Sequence, residues 1–280
     1  MRRLFVGAAL AALFVSSAAQ AQNWTGFYIG GNTGVGFGKT SSVNQPVDLL
    51  SEAFFNSGGL DFAPGSFDTS ARRNGWVGGL QAGYNWQAGA FVFGVEADIQ
   101  KSAIGGRRSQ QAFALPLAWG SAYAFDVNTE SNLEWFGTLR GRVGFLITPD
   151  FLLYGTGGLT YGGVENSAAV VFAPSVQPAG VLGGLGSLTF QCSTTAAAPT
   201  SDCYAGRGTG TRIGWTAGLG GEWKLDANWS VKLEYLHLQL QGMSINLVSP
   251  PPSSPGVSTN FVFDDFAYDI VRVGLNYRFN

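Results

Sequence analysis

Same-face aromatics recur ten residues apart along this chain: Phe27 and Phe37, Trp76 and Trp86, Trp135 and Phe145, Phe151 and Tyr161. Each pair lies in a stretch that alternates large apolar residues with small or polar ones, the period of a strand with two unlike faces. Ten residues of strand rise about 33 Å. At a tilt of roughly 40° the vertical separation is about 25 Å, the height of the apolar band between the aromatic girdles of a transmembrane barrel. A soluble sandwich has no reason to keep that distance. Trp215, Trp223, Trp229, Tyr277 and Phe279 share the outward parity of their own segments and complete the expected girdles, although the spacing of Trp215 and Trp223 is shorter.

Eight such segments are legible: 26–38, 75–87, 90–101, 132–147, 151–164, 212–224, 229–243 and 265–279. The connections alternate in length. Residues 88–89, 148–150 and 226–228 form tight turns, whereas 39–74, 102–131, 165–211 and 244–264 are long, the last containing Pro250-Pro251-Pro252, which no strand accommodates. Short turns at one end and long loops at the other describe an up-and-down meander. The fold expected is all-β: an eight-stranded antiparallel transmembrane β-barrel with short periplasmic turns and long extracellular loops. The segment 229–243 departs from the pattern, because Leu236, Leu238 and Leu240 fall on the parity opposite to its other apolar residues. A bulge or emergence above the membrane explains this equally well.

The other face carries the charges. By parity five acids, Glu96, Asp98, Glu134, Glu222 and Glu234, point inward with six bases, Arg140, Arg142, Lys224, Lys232, Arg272 and Arg278. A soluble barrel would put its apolar face inside and its charges outside. An eight-stranded barrel is only wide enough for side chains to fill it, and an unpaired buried ion is costly. A salt-bridged plug centred on Arg140, Arg142, Glu134 and Glu222 is expected. A narrow, gateable path for ions or small solutes is the alternative.

Composition and the N-terminus agree with export to a membrane. Charged residues are 12% and aromatics 14%, with 41 Gly in 280 residues, against about 25% charged in ordinary soluble domains. A hydrophobic content of 45% argues against disorder, and a net charge of −2 against a nucleic-acid partner. Arg2 and Arg3, the apolar run Leu4–Val15 and Ala19-Gln20-Ala21 read as a signal peptide over 1–21, leaving a barrel domain over 22–280. Without Arg2 and Arg3 the mature chain has 14 basic and 18 acidic groups, a net charge of −4. In an exported protein the close pair Cys192 and Cys203 is expected to form a disulfide.

Chemical motifs are absent. Gly34–Thr40 ends like a P-loop, but Thr33 stands where the first glycine is needed and no helical pattern follows. His237 is the sole histidine, which excludes a histidine-based metal cage. Gln239 stands where a lipid A deacylase would place its serine, and no G-x-S-x-G elbow occurs. No enzyme activity, cofactor or metal is expected.

Several stretches resemble the alphaproteobacterial outer-membrane immunogenic proteins, an OmpA-like porin-family barrel group. They are Asn23–Asn32 (NWTGFYIGGN), Gly78–Trp86 (GGLQAGYNW), Leu139–Gly144 (LRGRVG), Leu153–Leu159 (LYGTGGL) and Val271–Phe279 (VRVGLNYRF). The resemblance implies an outer-membrane surface antigen and envelope component, in contact with outer-membrane lipid and lipopolysaccharide. It implies recognition of the last strand, ending at Phe279, by the barrel-assembly machinery, and loops available to an extracellular ligand or host surface. No tethering peptidoglycan-binding domain is expected.

Overall fold

The computed structural model describes residues 23–46, 71–113, 124–172, 201–248 and 258–279. The expected signal peptide, 1–21, and Cys192 lie outside these residues, as does the side chain of Cys203, and with them the expected disulfide.

Among the described residues eleven strands form one antiparallel sheet: β1 (Gly26–Thr40), β2 (Ser42–Pro46), β3 (Ala71–Ala88), β4 (Phe91–Phe113), β5 (Ala124–Thr148), β6 (Phe151–Phe172), β7 (Ser201–Lys224), β8 (Trp229–Leu240), β9 (Met243–Val248), β10 (Ser258–Phe263) and β11 (Phe266–Phe279). Eight of them close a ring. β1 pairs with β3, and β3 to β8 follow in sequence. β8 pairs with β11, and β11 returns to β1 with Phe27 opposite Phe279 and Val35 opposite Val271. This is an eight-stranded antiparallel barrel with no free edge in its wall. Closure matters because lipid cannot hydrogen-bond an exposed strand edge.

β2, β9 and β10 continue the wall beyond the ring at the end with long connections. At the same end β4–β5 and β6–β7 run on to Phe113 opposite Ala124 and Phe172 opposite Ser201. Much of what reads as loop in the sequence is therefore strand. The cause is an inversion of the pattern. Outside the apolar band, Ile104, Val127, Val164 and Leu247 point inward and are buried, while Arg107, Glu130 and Arg207 point outward. The period of two survives, but its sense becomes that of a water-soluble barrel.

The same inversion resolves the 229–243 segment. β8 keeps one unbroken alternation, so Leu236, Leu238 and Leu240 lie on the inward face shared with Lys232 and Glu234. Its outward side turns polar at His237 and Gln239, as expected for a strand leaving the membrane.

The outer surface of the ring carries both aromatic rows. At the turn end Phe27 meets Phe279, Phe91 meets Phe145, Phe151 meets Trp223 and Trp229 meets Tyr277, with ring centroids 5.1–6.0 Å apart. At the other end lie Phe37, Trp76 and Trp215, and Trp135 pairs with Tyr161 at 6.0 Å. Between the rows stand Leu80, Leu139, Leu159, Leu219 and Leu233, each 57–68% exposed to the surroundings. Lipid covers such a band. Leu139→Arg puts a cation near its middle, and the refolded barrel is expected to lose about 2–4 kcal/mol in urea unfolding.

Candidate functional site: the barrel interior

Ten of the eleven charged residues assigned inward by parity are buried, each at 7% exposure or less. Their contacts divide into a middle and a lower tier. In the middle tier Arg140 is the hub. Its Nη2 contacts Glu96 and lies 3.0 Å from Asp98 Oδ2, and its Nη1 lies 3.2 Å from Glu234 Oε1. Arg272 Nη2 reaches Asp98 at 2.9 Å and Glu234 at 2.6 Å. Lys232 Nζ donates to both Glu96 oxygens at 2.8 and 2.9 Å. Tyr28 and Tyr154 add hydroxyl donors, to Glu96 at 2.7 Å and to Glu234 at 2.9 Å. Both rings fit because the facing wall positions are glycine: a Cβ on Gly83 would strike Tyr28, and one on Gly220 would strike Tyr154.

The lower tier lies toward the tight turns. Arg142 Nη1 pairs with Glu222 Oε2 at 3.0 Å, and Arg142 Nε donates to Asn85 Oδ1 at 2.9 Å. The Arg142 guanidinium lies 5.1 and 5.0 Å from the Tyr28 and Tyr154 ring centroids, and its Nη1 is 3.8 Å from Glu96, linking the tiers. Glu222 Oε1 accepts from Ser230 at 2.6 Å and Asn276 at 3.0 Å. Trp24 closes this end. Its indole N–H donates to the Pro149 carbonyl at 3.1 Å, and its backbone N–H to Gln87 Oε1 at 2.6 Å. Lys224 Nζ and the Arg278 guanidinium lie 4.8 and 4.6 Å from its ring centroid. Val92, Leu152 and Tyr154 pack with it.

Above the ion pairs the interior is mostly apolar, although Arg73, Gln100, Thr129, Ser131 and Asn166 are also buried there. Phe136, Leu236, Leu238, Leu240, Phe261 and Ile270 belong to one buried cluster. The interior thus runs from an aromatic floor through ion pairs to a mostly apolar upper core.

Glu134 is the exception to the parity assignment. It is exposed on the outer wall, while Leu133 is buried inside. The register shifts between Leu133 and Trp135 against β6, and between Lys101 and Ile104 against β4. One extra residue in a strand exchanges the two faces beyond it. Glu134 therefore takes no part in the centre that sequence parity gives it, and Arg140 with Glu96, Asp98 and Glu234 occupies that place instead. Arg142 and Glu222 lie one tier below.

Three interior residues escape the sequence reading. Trp24 shares the parity of Tyr28, but it precedes the first alternating segment. Arg73 lies just before the second, buried and donating from Nη1 to the carbonyls of Gly106 and Ser131. Tyr154 lies on the inward parity of a segment whose most visible residues are its outward aromatics.

The outer wall beyond the apolar band is polar and cross-linked. Tyr235 donates to Asp269 at 2.6 Å, His237 Nδ1 lies 2.9 Å from the same oxygen, and Gln239 donates to Asp265 at 3.0 Å. Arg107 pairs with Glu130 at 2.9 Å, and Arg207 with Glu165. The hydrogen bond from Arg107 holds the Glu130 carboxyl below its ordinary range. Among the described residues no group of three or more His, Cys, Asp or Glu could hold a metal.

A family model described as an outer membrane protein beta-barrel domain matches residues 6–279. The chain is 34% identical over 258 residues to the 31 kDa outer-membrane immunogenic protein of Brucella melitensis, covering 92% of this chain and 84% of that protein. The protein of the same name from Brucella suis matches equally. The 22 kDa outer membrane protein of Rhizobium leguminosarum is 34% identical over 116 residues, 41% of this chain and 46% of that one. Among solved structures, the outer membrane protein OprG of Pseudomonas aeruginosa aligns with a TM-score of 0.44 and 13% identity, covering 94% of this chain and all of that one. The wall lies in the bacterial outer membrane, with the short turns periplasmic and the long connections extracellular, as in such barrels generally. The chain belongs to the outer membrane protein β-barrel family.

Proposed function

We propose that this protein is a non-enzymatic envelope barrel with a sealed interior, a rigid scaffold that presents its extracellular strands and loops at the cell surface. The observation that carries this reading is the filled cross-section. Trp24, the ion-paired tiers around Arg140 and Glu222, and the apolar cluster around Phe136 and Leu238 succeed one another along the axis. A solute crossing the barrel would have to break buried ion pairs and then enter a mostly apolar core, and each step is unfavourable.

Binding residues tend to sit on loops held by a rigid scaffold, so surface partners belong to the extracellular end. The strand ending at Phe279 is the part offered to the assembly machinery. Proteoliposome swelling tests the seal. Vesicles carrying the refolded mature protein are expected to swell in a small sugar no faster than protein-free vesicles. Swelling that scales with protein content would favour a small porin.

A further inference from the structure

The interior charges balance in one tier and not in the other. In the middle tier Arg140, Lys232 and Arg272 face Glu96, Asp98 and Glu234. In the lower tier Arg142, Lys224 and Arg278 share Glu222, and all three bases are more than nine-tenths buried. Asp150, at the β5–β6 turn, adds a carboxylate that acts on Lys224, and its carbonyl accepts the Lys224 backbone N–H at 2.9 Å. It offsets Lys224, which leaves Arg278 in excess among the described residues.

Hydrogen bonding has the same deficit. Glu222 is already occupied by Ser230, Asn276 and Arg142, and Arg278 Nη2 lies 3.7 Å from it, beyond hydrogen-bond reach. Among the described residues four buried nitrogens in this tier have no partner: Arg278 Nε and Nη2, Arg142 Nη2 and Asn85 Nδ2. All four are donors. Arg73 and Arg272 each leave one nitrogen, Nε and Nη1, without a partner among the described residues, but two backbone carbonyls accept Arg73 Nη1 and two carboxylates hold Arg272. A buried cation without an acceptor is costly, and the Nε–Nη2 edge of a guanidinium is the fork that receives anions.

We propose that the lower tier binds a small inorganic anion of the halide class, held by Arg278, Arg142 and Asn85 behind the Trp24 ring. A single-atom anion suits the place better than a tetrahedral oxyanion, which would set further negative oxygens against Glu222. The ion supplies the missing charge and the missing acceptor together. This holds whether or not the barrel conducts, because it rests on the lower tier alone.

The test is anomalous scattering from crystals of the refolded mature protein grown in sodium bromide. One peak is expected within bonding distance of Arg278 Nε and Arg142 Nη2. It should fall to background in Arg278→Gln and remain in Arg107→Gln, which alters an exposed cation. Water density alone at this position, or bromide at the surface as an adventitious ion only, would overturn the proposal. Should Arg278→Gln fail to refold, the wild type is compared in sodium bromide and in sodium gluconate at equal ionic strength. A higher urea midpoint in bromide supports the site, and equal midpoints overturn it.

Discussion

Arg140→Ala is expected to lower the unfolding free energy of the refolded barrel by about 3–5 kcal/mol, because it leaves buried carboxylates without their shared cation. Arg140 contacts Glu96, Asp98 and Glu234, and its side chain is fully enclosed. Arg272 and Lys232 remain after the substitution, but neither can occupy the space between the three acids without giving up its present contacts. Water entering the gap should also raise conductance above that of the wild type. Glu134→Ala is the control from the same strand. Its side chain is exposed on the outer wall at a bulge and makes no ion pair among the described residues, so its effect should stay within about 0.5 kcal/mol. Equilibrium urea titration of both variants reads the difference. Equal effects would contradict the assignment of the two faces of β5.

Trp24→Ala is expected to cost a similar amount, about 3–5 kcal/mol, the usual range for deleting a buried tryptophan. The ring is wholly enclosed, and two cations lie over it. Its loss opens a cavity beneath Lys224 and Arg278 and removes the ring over which both cations lie. Trp24→Phe separates packing from hydrogen bonding. It keeps much of the burial but gives up the bond to Pro149, for a loss of about 1 kcal/mol beyond the change in packing. Urea midpoints of the two variants should therefore differ, with alanine far lower. A midpoint for Trp24→Ala within error of the wild type would show that the floor contributes nothing to stability.

The membrane-spanning part of the fold was legible because lipid enforces a strict contrast between faces. Phe91, Phe93, Val95 and Ile99 against Glu96, Asp98 and Gln100 leave one reading of β4. The contrast fades where the wall enters water. From Ile104 through Arg107 on β4, and from Val127 to Leu133 on β5, the apolar residues are the inward ones. A search for outward apolar residues stops there and takes the rest for loop. The bulge at Glu134 defeats parity for a different reason. Nothing in Asn132-Leu133-Glu134-Trp135 marks an extra residue, since bulges are fixed by the register of both neighbours. Trp24 was hidden by position, preceding the first strand, although its parity with Tyr28 was there to be read. Which carboxylate meets which cation was not legible at all. Those contacts join β4, β5, β7, β8 and β11 across the interior, and their geometry depends on shear and tilt that no single strand encodes.

Single-channel recording from the refolded mature protein in planar bilayers, beside Arg140→Ala, tests the sealed interior most directly. The wild type is expected to show no discrete steps in molar potassium chloride, while Arg140→Ala shows small ones. Steady, uniform openings of the wild type that Arg140→Ala leaves unchanged would contradict the account, because ions would then cross the barrel without passing through the tier that Arg140 holds together.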